Sequence, residues 1–564
     1  MTDFTPPELA HQRVIETDSM TLSIGSIFGD QANLAGTLLD HNNRRRRRIV
    51  QINGVLVGYA VLNATLYSML LPLWEGFDET FHFAYVQQLA TGRGLPDART
   101  ATLSREVAIS LQQAPASPSV KVNMPELVSY SEFFAWPPDR RLQTQRSVRD
   151  IPLEYRRQSS ESFNYEGHQA PLAYALLAVP ESLLAAVTLP ARVLSLRILA
   201  ALAGSLLLYA GTRTLCREMG MPEPYSNAAL FCLLSSQMTW ATLAHVANDW
   251  LAVPLAVWAL VVMVRLARDP STRSAALAAL VISAGLLTKA YFLALVPLFL
   301  LISALRGGWR RFTVSAVILI ACAGPWYLRN YHLYGSVTGT QESRAGIGLA
   351  AVIGGAFDVR WMAVLKGSVA AALWTANNSF RTFSANTLNL VMLVSAAALL
   401  MWVFSRHAPA EYITLAYSAS FLLALAYVAV VAHIYTHGGS STPAPWYSQV
   451  LVSPFLSLAY LGMARHGRFG RWLAAALTLL FGYVLAVTYF FKLIPLYGGY
   501  EDRTSLRNIF ELYLSHFSMV ASNLESVALG PAGVIFGLAV AVVLLLAWLE
   551  IMLVRSLLSQ RAAP

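Results

Sequence analysis

The residues best equipped for chemistry in this chain stand together in one stretch, Trp74-Glu75-Gly76-Phe77-Asp78-Glu79-Thr80-Phe81-His82-Phe83-Ala84-Tyr85. Two adjacent carboxylates and an imidazole follow directly on a long apolar run. Downstream of Asp78, Glu79, His82 and Tyr85 to Val86 recur at the spacing of one helix face, and Leu95-Pro96-Asp97 ends that helix. A carboxylate placed there can take a proton from a hydroxyl. The plainer alternative is an acidic first turn that suits the helix dipole.

Further polar groups punctuate the apolar chain. Asn164-Tyr165-Glu166-Gly167-His168-Gln169-Ala170-Pro171-Leu172-Ala173-Tyr174 opens the next apolar segment, with Pro171 suited to a first helical turn. Asn248-Asp249 marks the edge of an otherwise apolar helix pair, and Lys289 lies inside another. Gly324-Pro325-Trp326-Tyr327-Leu328-Arg329-Asn330 ends a third, with Arg329 offering a guanidinium fork that suits a lipid phosphate. Trp446-Tyr447, beside Pro443 and Pro445, is the weakest of the set, and His437 nearby reads as incidental. Each has a structural alternative: capping by Asn164 or Gln169, an N-cap at Asn248-Asp249, snorkelling by Lys289, and interfacial anchoring by Trp326, Tyr327, Trp446 and Tyr447.

The elements that must position these groups are membrane helices. The chain is 56% hydrophobic and 13% charged, against about 45–50% and about 25% for a soluble domain. Its 41 basic residues against 31 acidic ones fall in short runs between apolar segments, which is the positive-inside pattern and no sign of a nucleic-acid partner. Three cysteines in or beside apolar segments imply no disulfide framework. Residues 1–48 read as a polar cytoplasmic tail closed by the basic run Arg44 to Arg48.

A spanning helix needs about 20 apolar residues. Candidates lie at 49–73, 170–189, 192–213, 226–247, 250–266, 275–287, 290–305, 312–328, 388–405, 411–433, 447–464, 472–491 and 532–553. External loops are expected at 74–168, 331–387 and 492–531; the first, with 12 acidic and 10 basic residues, should carry short helices. Residues 49–335 then form a catalytic membrane module and 336–564 a C-terminal one. Two inside termini require an even number of crossings, so one of the three segments between His168 and Asp249 should be re-entrant or split, the Pro180-Glu181 break marking the first. Within 275–305, Thr288-Lys289 should be a polar apex between two short helices.

Carboxylates and cations gathered at a membrane surface suit transfer of a sugar from a lipid phosphate: a base takes the acceptor proton and cations hold the phosphate as charge develops. The order and spacing of the groups resemble the GT-C superfamily of polyprenyl-phosphate-sugar-dependent glycosyltransferases, especially the protein mannosyltransferase and aminoarabinose transferase branch. The resemblance rests on Asp78-Glu79 with His82, Tyr85 and Leu95-Pro96, on His168-Gln169 with Pro171-Leu172 and Tyr174, on Asn248-Asp249, on Leu287-Thr288-Lys289 and on Trp326 to Asn330. It covers residues 50–335 well and the rest in general layout. One departure is Ala170 before Pro171, where relatives commonly have two prolines.

The resemblance implies an all-α polytopic membrane protein of about 12–14 segments and an inverting transferase. Asp78 would be the base with Glu79 as its catalytic neighbour. His82, His168, Gln169, Asp249, Lys289, Tyr327, Arg329, Trp446 and Tyr447 would bind substrate or lipid phosphate. The donor would be a polyprenyl-phosphate-linked sugar and the acceptor a glycan, lipid or protein hydroxyl, reached from the external face of the inner or plasma membrane. No cofactor is required; a divalent metal, with His82 and His168 as ligand candidates, is the one group the resemblance admits. The rivals are a transporter or flippase of lipid-linked sugar, which would favour repeated halves and mid-bilayer charges, and an inactive structural subunit.

Overall fold

A computed structural model describes residues 51–340, 343, 345–373, 375–439, 442–500 and 505–559. The tail 1–48 and its arginine run lie outside the described residues. The chain divides after Val55 into two compact units. Of the first the structure describes only the opening residues of helix α1 (Gln51–Leu70); every later element belongs to the second.

The fold is helical, and eight described helices are long and apolar enough to cross a membrane. They are α1, α8 (Leu189–Glu218), α11 (Asp249–Arg268), the long rod ending in α13 (Val296–Tyr334), α16 (Ala385–Val403), α17 (Pro409–Tyr435), α19 (Gly467–Tyr497) and α22 (Ala532–Leu558). Shorter apolar helices join them: α7 (Leu172–Leu183), α9 (Glu223–Ser235), α10 (Gln237–Leu243), α12 (Thr272–Leu286), α14 (Leu349–Asp358), α15 (Trp361–Ala371) and α18 (Gln449–Ala464). All thirteen expected apolar segments are helical. The rod Ala290–Tyr334 supplies two, because Gly308 at φ 72° breaks it between the expected segments 290–305 and 312–328. Only glycine takes that backbone without cost.

Between His168 and Asp249 the chain departs from plain spanning twice. Helix α7 has 12 residues, about 18 Å of helix against a core of about 30 Å. The third segment is split at Ser236 into α9 and α10. The polar apex at Thr288-Lys289 also forms: α12 stops at Leu286, and a 3-10 turn over Ala290–Leu295 restarts the chain.

Helix α11 is central. In its most apolar stretch 78% of residues are buried, against 22% in α16 and 33% in α17 and α22, whose apolar faces are left for lipid. It packs on α8 and α12, and α9 packs on α18, α19 and α22, so helices on either side of residue 335 share one core.

The first loop carries the short helices α2 (Glu79–Ala90), α3 (Arg105–Gln113), α4 (Pro118–Asn123), α5 (Tyr130–Ala135) and α6 (Pro138–Arg149). The chain beyond Gly499 adds α20 (Leu506–Ser515) and α21 (Phe517–Glu525). The first loop also holds a two-stranded antiparallel ribbon, Thr102–Ser104 with Ser159–Phe163, which the sequence pattern did not announce. Its attachment to the bundle is ionic. Arg192 and Arg197 of α8 are both fully buried. Arg197 grips Glu79 at the start of α2, with its Nε 2.7 Å from Oε1, and donates to the carbonyls of Leu71 (2.5 Å) and Pro72 (2.8 Å) beyond the end of α1. Arg192 binds Glu106 of α3 and Glu181 of α7; Gln87 of α2 donates to Glu106 at 2.6 Å, and Arg156 approaches Glu181 at 3.5 Å. Removing one partner of such a buried pair costs about 3–5 kcal/mol. All three cysteines are free.

Candidate active site

Helix α2 begins where the sequence pattern places it, with Asp78 as N-cap residue in the left-handed region at φ 52°. Asp78 is half-buried, and the Tyr165 hydroxyl donates to its Oδ1 at 2.5 Å. Burial raises the Asp78 carboxyl above the ordinary aspartate range, while the Tyr165 bond and the Lys289 charge pull it back. Burial and the neighbouring Asp78 charge push the Tyr165 phenol well up, so it stays a donor.

Contacts run from Asp78 around a closed circuit. The Phe77 ring stacks on Trp446 at 4.2 Å, and Trp446 meets Tyr447 edge-on at 5.8 Å. Lys289 Nζ stands 5.1 Å from the centre of the Tyr447 ring and donates to Asp249 Oδ1 at 2.6 Å. Next to Asp249, Asn248 Nδ2 donates to Gln169 Oε1 at 3.1 Å and to the Thr288 carbonyl at 3.3 Å. Gln169 follows His168, whose Nδ1 donates to the Tyr165 carbonyl at 2.8 Å, and Tyr165 returns the circuit to Asp78. Of the expected residues, Asp78, His168, Gln169, Asp249, Lys289, Trp446 and Tyr447 therefore line one site, although some 370 positions separate the ends of the set.

The other expected residues stand elsewhere. Glu79 is buried and faces away: Arg197 holds both oxygens, and the Val246 amide donates to Oε1 at 2.9 Å. Its place is structural, because adjacent residues at a helix start point in different directions. His82 is buried one turn behind Asp78, its Nδ1 2.8 Å from the Tyr174 hydroxyl and 3.9 Å from Glu166 Oε2. Burial and the nearby Lys289 charge hold its imidazole below the ordinary value. Tyr327 donates to the Leu286 carbonyl at 2.9 Å and so supports the end of α12 beside Lys289. Arg329 lies over the Trp326 ring and donates to the Pro96 carbonyl at 2.7 Å, in the segment after α2, which stops at Ala90, before the expected Leu95-Pro96-Asp97 break.

Glu166 is the residue the sequence reading passed over. It is buried, its Oε2 has no hydrogen-bond partner among the described residues, and burial together with Asp78 pushes it up to about 8. Asn164 caps this turn by accepting from the Glu166 amide at 3.1 Å. The signal was available: an acid beside an aromatic residue at the mouth of an apolar segment is the same pattern that drew attention to Asp78. Tyr165 lacked any such signal, since its role depends on a partner 87 positions away in sequence; Asn248 was singled out with Asp249, but not its bond to Gln169.

Among the described residues no group of three or more His, Cys, Asp or Glu side chains is placed to hold a metal ion. The Nδ1 atoms of His82 and His168 already face Tyr174 and the Tyr165 carbonyl.

No family model and no curated relative matches the chain. Among the solved structures similar to it are two membrane transferases. One is ArnT from Cupriavidus metallidurans bound to undecaprenyl phosphate, at 13% identity and a TM-score of 0.45, over 88% of this chain and 77% of that one. The other is the archaeal oligosaccharyltransferase AglB from Archaeoglobus fulgidus in complex with an inhibitory peptide and a dolichol-phosphate, at 14% identity and a TM-score of 0.29, over 85% of this chain and 56% of that one.

Proposed function

We propose that this chain is a membrane glycosyltransferase that moves a hexose or pentose from a polyprenyl-phosphate carrier to an acceptor hydroxyl on a glycan, lipid or protein. Asp78 acts as general base on the non-cytoplasmic face, with both termini cytoplasmic. The observation that carries this reading is the circuit itself: a half-buried carboxylate, fixed through Oδ1 by Tyr165, shares a site with one buried ammonium at the end of a broken apolar helix. Oδ2 is then the atom that takes the acceptor proton. The acceptor oxygen attacks the anomeric carbon as the carbon–oxygen bond to the phosphate breaks, so a single displacement inverts the configuration.

Lys289 is the group placed to receive the phosphate. An ammonium has three donors, and one goes to Asp249. The pairing with Asp249 at 2.6 Å orients it. His168, held on the Tyr165 carbonyl beside Asp78, is the further phosphate ligand we propose, and Arg329, which stands outside the circuit on the Pro96 carbonyl, is the reserve cation. A phosphate monoester leaves without strong help from an acid, so one base and a set of donors suffice. The aromatic pair Phe77–Trp446 gives a sugar ring a flat apolar wall.

The test is turnover by the full-length protein in detergent. Undecaprenyl-phosphate-linked hexoses and pentoses are supplied, and release of undecaprenyl phosphate is measured. Asp78→Asn should lower release by about 10²–10⁴-fold while leaving expression and thermal unfolding unchanged. Full activity in that variant removes Asp78 from the reaction, and movement of intact donor between leaflets without release would make the protein a flippase.

A further inference from the structure

The backbone just before Asp78 is gripped by a segment that the proposed chemistry does not use. Among the described residues, six non-glycine residues have left-handed φ: Trp74 (63°), Asp78 (52°), Ala376 (60°), Asn377 (40°), Phe380 (45°) and His437 (50°). Five of them belong to two segments pressed against each other. The Asn378 amide donates to the Glu75 carbonyl at 3.2 Å and its Nδ2 to the Gly76 carbonyl at 3.0 Å. Ser379 Oγ donates to Glu75 Oε1 at 2.6 Å, and the Phe380 ring lies 5.9 Å from that of Phe77. From the first loop, the Tyr130 hydroxyl reaches Glu75 Oε2 at 2.9 Å.

The turn that makes these contacts is itself tied down. Thr375 and Arg381 exchange backbone hydrogen bonds of 2.8 and 2.9 Å. Asn377 accepts from the Tyr67 hydroxyl at 2.7 Å and donates to the Ala241 carbonyl at 2.8 Å. A residue with a β-carbon held in the left-handed region costs about 1–3 kcal/mol, and it stays there only where its surroundings over-determine it. Here the over-determination converges on Glu75 and Gly76, which lead into the Asp78 carboxylate.

We propose that the turn from Thr375 to Arg381, acting through Asn378, Ser379 and the buried Glu75, is a positioning element that holds Asp78 in its left-handed conformation and so aims its carboxylate into the transfer site. The proposal rests on Asp78 being the base. Burial pushes Glu75 up to about 8, against the hydrogen bonds from Ser379 and Tyr130. The charged and titratable groups around it are Arg197 of α8, Tyr67 of α1, Tyr130 of α5 and Tyr497 of α19. A neutral Glu75 works as a hydrogen-bonded joint and adds no second charge to compete with Asp78.

The experiment uses the full-length protein and two readouts: kcat for release of undecaprenyl phosphate from the best undecaprenyl-phosphate-linked sugar, and Kd for undecaprenyl phosphate alone. Ser379→Ala and Asn378→Ala should lower kcat about tenfold or more, as a small misplacement of a reacting group does, with Kd changed less than about twofold. Ser379→Thr, which keeps the hydroxyl, should recover most of the loss. In an Asp78→Asn background, Ser379→Ala should add nothing, because the element acts only through Asp78. Unchanged kcat in both alanine variants overturns the proposal, and so does a Kd that worsens in step with kcat. The base reading fails separately, by full activity of Asp78→Asn; an inactive Asp78→Asn beside fully active Ser379→Ala and Asn378→Ala overturns the positioning role alone.

Discussion

Carboxylates meet cations in two regions of this molecule, and the regions are built on opposite plans. Beneath the first loop, Glu79, Glu106 and Glu181 face Arg156, Arg192 and Arg197, and every carboxylate touches a guanidinium. Around Lys289, three carboxylates, Asp78, Asp249 and Glu166, share one ammonium that touches only Asp249. Charges that pair in a dry interior bind elements together, although Glu181 Oε2 and Arg156 Nε there also have no hydrogen-bond partner among the described residues. The second group leaves Asp78 held by a phenol and Glu166 with an oxygen unpartnered among the described residues, an arrangement a protein tolerates where a reaction uses it. Burial and the Asp78 charge push Glu166 up to about 8, the direction that relieves an excess of negative charge around Lys289.

Asp78 and Glu79 put the contrast on adjacent residues, and the largest effects should come from separating them. Asp78→Asn should lower kcat by about 10²–10⁴, the usual contribution of a general base, with no change in thermal unfolding. Glu79→Gln should do the reverse. It strands the Arg197 charge in the interior and should cost about 3–5 kcal/mol of stability, read as a lower unfolding temperature and a smaller folded fraction, while the folded fraction keeps its kcat. Equal losses of kcat in the two variants would erase the distinction between the regions.

Lys289 comes next in size. Lys289→Ala should lower kcat by about 10²–10³, the range for removing one preorganised donor from developing charge, and should weaken undecaprenyl phosphate binding as well. Arg192→Ala, from the other region, should leave both quantities unchanged in whatever fraction folds. If Lys289→Ala binds undecaprenyl phosphate as tightly as the wild type, the phosphate sits elsewhere, and Arg329 becomes the group to test.

How much of this could be read from sequence depends on the range of each interaction. Apolar length is a local property, so all thirteen helical segments and the break at Lys289 were legible. Pro180-Glu181 does not break α7, which carries Pro180 inside it and stops at Leu183; the segment that is split is the third, at Ser236, which had no cue beyond the crossing count. The candidate residues Asp78, His168, Asp249 and Lys289 were legible because an ionisable group among apolar neighbours stands out. Their partners were not. Nothing local to Glu79 says that it will meet Arg197, 118 positions on, while Asp78 beside it meets Tyr165. Arg192 and Arg197 read as ordinary interruptions of an apolar segment until the fold places three acids against them. The turn around Asn377 was equally hidden, since its left-handed residues are not the glycines that announce such conformations.

The smallest predicted effect sharpens the comparison through pH. Glu166 has its folded value raised from 4.5 to about 8 by burial and by Asp78. A carboxyl raised in this way contributes stability that is fully present below its unfolded value and is lost as pH rises through the folded one. The wild type should therefore unfold at a lower temperature at pH 9 than at pH 6. Glu166→Gln is neutral at both, so its drop should be smaller, by about 1.4 kcal/mol for each pH unit between pH 6 and the folded value of about 8, less what solvent screens. Glu75, also raised to about 8, is present in both proteins and cancels from the difference. Glu106→Gln is the matched control from the balanced region: it removes a carboxylate that Arg192 already neutralises, and it should lower stability alike at both pH values. Parallel curves for wild type and Glu166→Gln would mean that Glu166 is ionised throughout, and that the site carries its negative charge without the relief a shared proton gives.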